Sequence, residues 1–195
     1  MYIGLVMGGE LYDNFNIVYI LGPGRSGSTV LEVLLSNSSQ LIGVGEITHL
    51  FRDGYIDAKP CSCGNSINVC PLWGAVSQGL NLQESAYKHT ADVMQEIDWH
   101  SNFFNALKQQ HSEQSWVYYS KINKNIFSTL NKAQPNKYLI DASKYPARAL
   151  NLKKLFPGKV KVICITRSPE GLMNSFAKPD IEQESKCPAF VARSR

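Results

Sequence analysis

Residues 16–37 read NIVYILGPGRSGSTVLEVLLSN, and few folds accept that order of residue types. The apolar run Ile17–Leu21 predicts a short buried strand. A turn follows, built from Gly22, Pro23, Gly24, Arg25, Ser26 and Gly27. Ser28 and Thr29 come next, then Val30, Leu31, Val33, Leu34 and Leu35 at helical spacing, which predicts a helix over 29–37. Strand, glycine turn and helix start make a phosphate cradle. Glycines let backbone N–H groups approach an anion, and the helix N-terminus adds its positive end.

The segment falls one residue short of the nucleotide-binding pattern G-x-x-x-x-G-K-[ST]. Gly22, Gly27 and Thr29 are in register, but Ser28 stands at the lysine position. That lysine reaches the β- and γ-phosphates of a nucleoside triphosphate. Its absence argues against ordinary ATP or GTP hydrolysis. Arg25 is the loop's one cation. The loop is therefore expected to hold a phosphate-like group of a different nucleotide, the alternative being a Gly-rich turn without a ligand.

A second signal lies at 159–178, KVKVICITRSPEGLMNSFAK. Val160–Ile165 predicts another buried strand. Ser168 suits an N-cap, Pro169 the first helical position and Glu170 the first turn of a helix over 169–177. Arg167 then sits at a strand's C-terminal end, where open α/β sheets bind ligands. Ser175, eight residues on, falls within that helix. Arginine and a helical serine can grip a second phosphate. A surface arginine with an unrelated serine is the competing reading.

This pair of motifs resembles the sulfotransferase family, over about Ile17 to Lys178. GPGRSGST is similar to its 5'-phosphosulfate loop and VICITRSPEGLMNS to its 3'-phosphate element. The resemblance implies a P-loop-like three-layer α/β/α fold with a central parallel sheet. It implies 3'-phosphoadenosine-5'-phosphosulfate (PAPS) as donor, held by Gly24, Arg25, Ser26, Gly27, Ser28, Thr29, Arg167 and Ser175. No metal is required. Arginine in the loop is more like the tyrosylprotein, carbohydrate and bacterial branch than the cytosolic animal enzymes. The acceptor is a hydroxyl or an amine.

Sulfuryl transfer needs a base for the attacking hydroxyl and a cation for the leaving phosphate. Glu46 is the candidate base. It follows Leu41–Gly45, a short apolar segment that can return the chain to the cradle, and the family's arginine-loop members carry Gly-Glu here. Two residues later the chain has Thr48, where the tyrosylprotein enzymes have arginine. Lys144 is the candidate cation. Tyr138–Leu139–Ile140 predicts a strand, Asp141–Lys144 its turn, and Pro146 opens a helix over 146–155. The family has a similar turn. The rival reading is a metal-binding strand whose Asp141 holds Mg²⁺, as in a P-loop kinase or NTPase. Asp141 can equally orient Ser143 or Lys144.

Strands alternating with helices predict a parallel sheet. The chain's 195 residues suggest a single domain, 1–195. A region inserted between the two motifs, about 53–137, is expected on the acceptor side. Within it 85–110 and 115–132 read as helices with apolar faces. The net charge of +4 is too mild to imply nucleic acid. No acidic residue lies between Asp141 and Glu170, yet Lys144, Arg148, Lys153, Lys154, Lys159, Lys161 and Arg167 do, which suits a multiply anionic ligand. No apolar run reaches about 18 residues, so no membrane span is expected. The N-terminus lacks a basic region before an apolar one, so a cytoplasmic location is the default expectation.

Cys61, Cys63 and Cys70 cluster in CSCGNSINVCPLW. With His49 as fourth ligand they allow a zinc site, though no second CxxC supports it. Bacterial sulfotransferase-like proteins carry a similar segment. A structural loop, with or without a Cys61–Cys70 or Cys63–Cys70 disulfide, is favoured over a metal site. Cys164 is expected in the core, and His49 beside the acceptor. No glycine follows Gly171, whereas the family continues with a further Gly-rich basic loop. The resemblance thus implies a C-terminally truncated relative. Three functions remain in competition: a PAPS-dependent sulfotransferase, a phosphoryl-transfer P-loop enzyme, and a catalytically dead nucleotide-binding module.

Overall fold

The computed structural model describes residues 15–177. Strand β1 spans Asn16–Leu21, β2 Leu41–Gly45, β3 Tyr138–Lys144 and β4 Val160–Cys164. They form one sheet in the order β2-β3-β1-β4, every pairing parallel. Helix α1, Ser28–Leu35, links β1 to β2, and α6, Pro146–Leu155, links β3 to β4. The connection leaving β1 runs to one side of the sheet and that leaving β3 to the other. A crevice therefore opens at the carboxyl ends of β1 and β3, the place where such sheets bind ligands.

Alternation along β1 divides the core in two. Val18 and Ile20 pack with Ile140, Ala142, Leu31 and Leu35 beneath α1. Ile17 and Tyr19 face the larger cluster, with Phe127, Leu130, Leu139, Leu152 and Phe156. That cluster is covered by α2 (Trp73–Leu80), α3 (Ser85–Asp98), α5 (Glu113–Ala133) and α6. Helices thus cover both faces of the sheet, the expected three-layer arrangement. The short α4 spans Phe103–Lys108, and α7 spans Pro169–Phe176. A π-helical segment, Leu50–Ile56, follows β2.

Some expectations change. Residues 141–144 are not a turn. They continue β3, because Asp141 pairs with both Tyr19 and Gly45, and Lys144 with Leu21. The predicted helix 85–110 breaks at Trp99, whose backbone is extended (φ −62°, ψ 148°). Its ring packs on Tyr145 with centroids 5.1 Å apart, a tertiary contact that outweighs helical continuity. Cys164 is exposed rather than in the core. It lies on β4, whose side chains are little covered among the described residues.

The basic stretch is also spent differently from the expectation. Arg148 is fully buried, donating through Nε to Asp141 (2.8 Å) and through Nη1 to Asp98 (2.7 Å). Tyr119 donates to the other oxygen of Asp98 (2.6 Å). The two carboxylates hold the Arg148 guanidinium well above its already high ordinary pKa, against the opposing pull of burial. Lys154, Lys159 and Lys161 lie over the rings of Trp116, Phe15 and Tyr138. Of the seven cations, Lys144 and Arg167 reach the crevice or its loop.

Candidate functional site

The loop between β1 and α1 owes its path to two glycines. A Cβ at Gly22 would collide with the carbonyl oxygen of Ile165 just past β4. Only glycine lets these two strand ends meet. Gly27 caps α1 in the left-handed region (φ 95°), and Arg25 also has a positive φ, 64°. Ser26 Oγ donates to the Pro23 carbonyl (2.6 Å) and tightens the turn. The first N–H groups of α1 have no acceptor within the helix and face the loop, where an anion can meet them.

The second motif comes back to this loop. Ile165 N–H donates to the Leu21 carbonyl (2.8 Å), and Arg167 Nη1 donates to the Arg25 carbonyl (3.1 Å). Ser168 caps α7 by accepting from Gly171 N–H (3.2 Å), with Pro169 in the first turn. Phe176, in the last turn of α7, lies 6.0 Å beneath the Arg25 guanidinium. Ser175 is half-buried beside it on the same helix. Two segments 142 residues apart therefore share one rim.

Across the crevice stand Glu46 and Lys144. Glu46 follows β2, Lys144 ends β3, and their side chains form an ion pair. Lys144 sits at φ 74°, a conformation that costs an L-residue about 1–3 kcal/mol. Such strain persists where surrounding contacts hold it. Here Arg148 holds Asp141, and Asp141 Oδ1 accepts from both the N–H and the hydroxyl of Ser143. Ser143 Oγ in turn accepts from Thr48 N–H (3.2 Å). This relay joins the end of β3 to the turn that follows Glu46. On the other side, buried Glu32 of α1 accepts from Gly45 N–H (2.7 Å).

The crevice has a volume of about 480 Å³ and is lined by Gly22, Pro23 and Gly24 on one side and by Glu46, Ser143, Lys144 and Tyr145 on the other. His100 closes one end. It arrives from the inserted region, its ring 6.3 Å from that of Tyr145. Burial, with the Glu46 charge next, pushes the Tyr145 phenol up to about 12, so it stays protonated. It lies 3.2 Å from His49 Nε2. His49 also approaches Glu46, at 3.9 Å.

The family model for sulfotransferases matches residues 18–179. The chain belongs to the sulfotransferase family. It is also similar to a solved sulfotransferase domain from the curacin biosynthetic pathway, with 21% identity and a TM-score of 0.40. That match covers 84% of this chain and 51% of the other, so the chain spans about half the length of that protein. No curated protein matches it. Both family motifs, separate signals in the sequence, meet at the loop between β1 and α1, whose first residues line one side of the crevice. Glu46 and Lys144 lie opposite. His100, Tyr145 and Ser143 line the site without having been expected there. No spacing announces His100, which only the break at Trp99 brings to the crevice. Ser143 had been read as a turn residue.

Proposed function

We propose that this chain transfers a sulfuryl group from PAPS to a hydroxyl or amine acceptor. The observation that carries the reading is the crevice itself. It sets a lysine-free phosphate loop facing a carboxylate–ammonium pair, in a member of the sulfotransferase family. In this reading the N–H groups of 24–29, with Arg25, Ser26, Ser28 and Thr29, hold the 5'-phosphosulfate. Arg167 and Ser175 hold the 3'-phosphate. The acceptor oxygen or nitrogen attacks sulfur in line. The bond from sulfur to that acceptor atom forms, and the bond from sulfur to the bridging phosphate oxygen breaks. The acceptor proton passes to Glu46. Lys144 leaves its pairing with Glu46 to meet the charge developing on adenosine 3',5'-bisphosphate. Little else is asked of the protein, because positioning and electrostatics dominate transfers of this kind.

The phosphoryl-transfer alternative is disfavoured by the same geometry. Both oxygens of Asp141, the residue that would hold Mg²⁺, are already engaged by Ser143 and Arg148. Calorimetric titration with adenosine 3',5'-bisphosphate beside ATP–Mg²⁺ tests the reading. The bisphosphate should bind more tightly, and Arg25→Ala should weaken it, since charge-assisted hydrogen bonds are the strong ones. Preference for ATP–Mg²⁺, or unchanged affinity in a folded Arg25→Ala protein, would overturn it. Where transfer is measurable, Glu46→Gln should lower turnover by about 10²–10⁴-fold with donor binding nearly intact.

A further inference from the structure

Segment 57–72, between the π-helical turn and α2, has one short 3₁₀ turn, Ile67–Val69, and little other regular structure. It is nevertheless built into the core. Cys61 and Cys70 are 3% and 2% exposed, beside buried Ile67, Leu72 and Trp73. Cys63 completes a group of three thiols and is half-exposed. Among the described residues, no histidine or carboxylate joins this group. His49, the fourth ligand that the sequence allowed, is turned instead towards Tyr145 and Glu46.

We propose that Cys61, Cys63 and Cys70 bind one Zn²⁺ ion as a three-thiolate structural site, with water in the fourth position on the exposed side of Cys63. No disulfide joins them: all three cysteines are free. Their sulfurs lie 3.6 Å (Cys63 to Cys70) and 3.7 Å (Cys70 to Cys61) apart, and all three fall within 4.8 Å of one another. A disulfide requires about 2.05 Å. Four ligands placed tetrahedrally about 2.3 Å from zinc are separated by about 3.8 Å. The observed spacing matches the second figure. A disulfide would also strand the third thiol of the group.

The backbone is shaped to hold sulfur charge. Cys61–Gly64 is a tight turn in which Gly64 N–H donates to the Cys61 carbonyl (2.8 Å), and Gly64 takes a φ of 83° that glycine tolerates. The N–H of Cys63 points at the Cys61 sulfur and the N–H of Asn65 at the Cys63 sulfur. Asn65 Nδ2 lies 3.6 Å from that same sulfur. Such donors orient metal-bound thiolates. Three thiolates packed this closely need a positive charge among them, and a bound metal supplies it. The ion would pin segment 57–72 to the core ahead of α2. None of the three cysteines lines the crevice, so the site is independent of the proposed reaction.

The test uses the full chain, reduced and stripped with a chelator, then titrated with Zn²⁺ against a chromophoric competitor and separately with Co²⁺. One ion per chain, with a sulfur-to-cobalt charge-transfer band in the near ultraviolet, is expected. Cys63→Ser, the least buried of the three, should weaken binding by roughly tenfold or more, while Cys164→Ser, outside the group, should leave it unchanged. Circular dichroism checks that both variants fold. A reduced parent chain that takes up neither ion at micromolar concentration overturns the site. So does uptake that Cys164→Ser abolishes and Cys63→Ser does not.

Discussion

Replacing Glu32 by glutamine should make the protein more stable at neutral pH, by an amount that grows with pH. The Glu32 side chain is buried under α1, with Oε1 accepting from Gly45 N–H. Gly43 is glycine for the same reason: a Cβ there would come within 2.6 Å of that Oε1. Burial raises the carboxyl from 4.5 to about 8. The Gly45 N–H opposes this, the charges of Asp141 and Glu46 add to it, and Lys144 opposes it again. Because the folded value lies above the unfolded one, the native state favours the protonated acid. Its contribution to stability is complete below about pH 4.5 and is lost as pH rises through about 8. At 1.36 kcal/mol per pH unit the whole change approaches about 5 kcal/mol, of which about 3 kcal/mol falls between pH 4 and pH 7. Glutamine keeps an acceptor for Gly45 N–H and removes the titration. Urea unfolding of both proteins at half-unit pH steps gives the difference directly. The stability of the parent should fall relative to the variant by about 3 kcal/mol across that interval. A difference that stays flat with pH would mean Glu32 does not titrate in this window, and the reasoning from its burial would be wrong.

Arg148→Met should cost about 3–5 kcal/mol in a denaturant titration, because it leaves Asp98 and Asp141 buried without their cation. A loss below about 1 kcal/mol would show that the pair is solvated. Gly22→Ala should destabilise by about 1–3 kcal/mol and weaken bisphosphate binding together, since the new Cβ pushes Ile165 away from the loop; normal binding in a normally stable variant would refute this. Arg167→Ala and Ser175→Ala should each weaken adenosine 3',5'-bisphosphate more than adenosine 5'-monophosphate, and equal losses would remove them from the 3'-phosphate. Lys144→Ala should cut turnover with a modest change in donor affinity, and parent-level turnover with chemistry rate-limiting would exclude it.

The sheet and its motifs were legible because local signals agreed. Pro146 opens α6 where proline is tolerated, and the apolar runs at 17–21 and 160–165 could only be strands between such turns. The candidate site was legible as far as its residues sat in contiguous motifs: the loop, Glu46, Lys144, Arg167. What supports those residues was not. Nothing local pairs Glu32 with Gly45 or Arg148 with Asp98, separated by 13 and 50 residues. Arg148 looked like one more cation in a basic stretch until packing placed two carboxylates around it. The extent of β3 was misjudged because Asp and Ser favour turns locally, a preference overridden once strands pair on both sides.

The shape of the phosphate loop depends on residues that join it from far along the chain. Gly22 meets Ile165, and the Arg25 carbonyl is held by Arg167. Loop closure over such distances carries an entropy cost that only late contacts repay. The cradle is therefore complete only when β4 is docked against β1, and is not a unit that forms on its own. Among the described residues β2 and β4 are both edge strands, but the side chains of β4 are far less covered than those of β2, so β4 is the more easily lost by local opening. A ligand bridging the loop and Arg167 would staple that edge. Amide hydrogen exchange in β4 and α7 should then slow on nucleotide binding far more than exchange in β2, making the sheet's edge a reporter of occupancy at its centre.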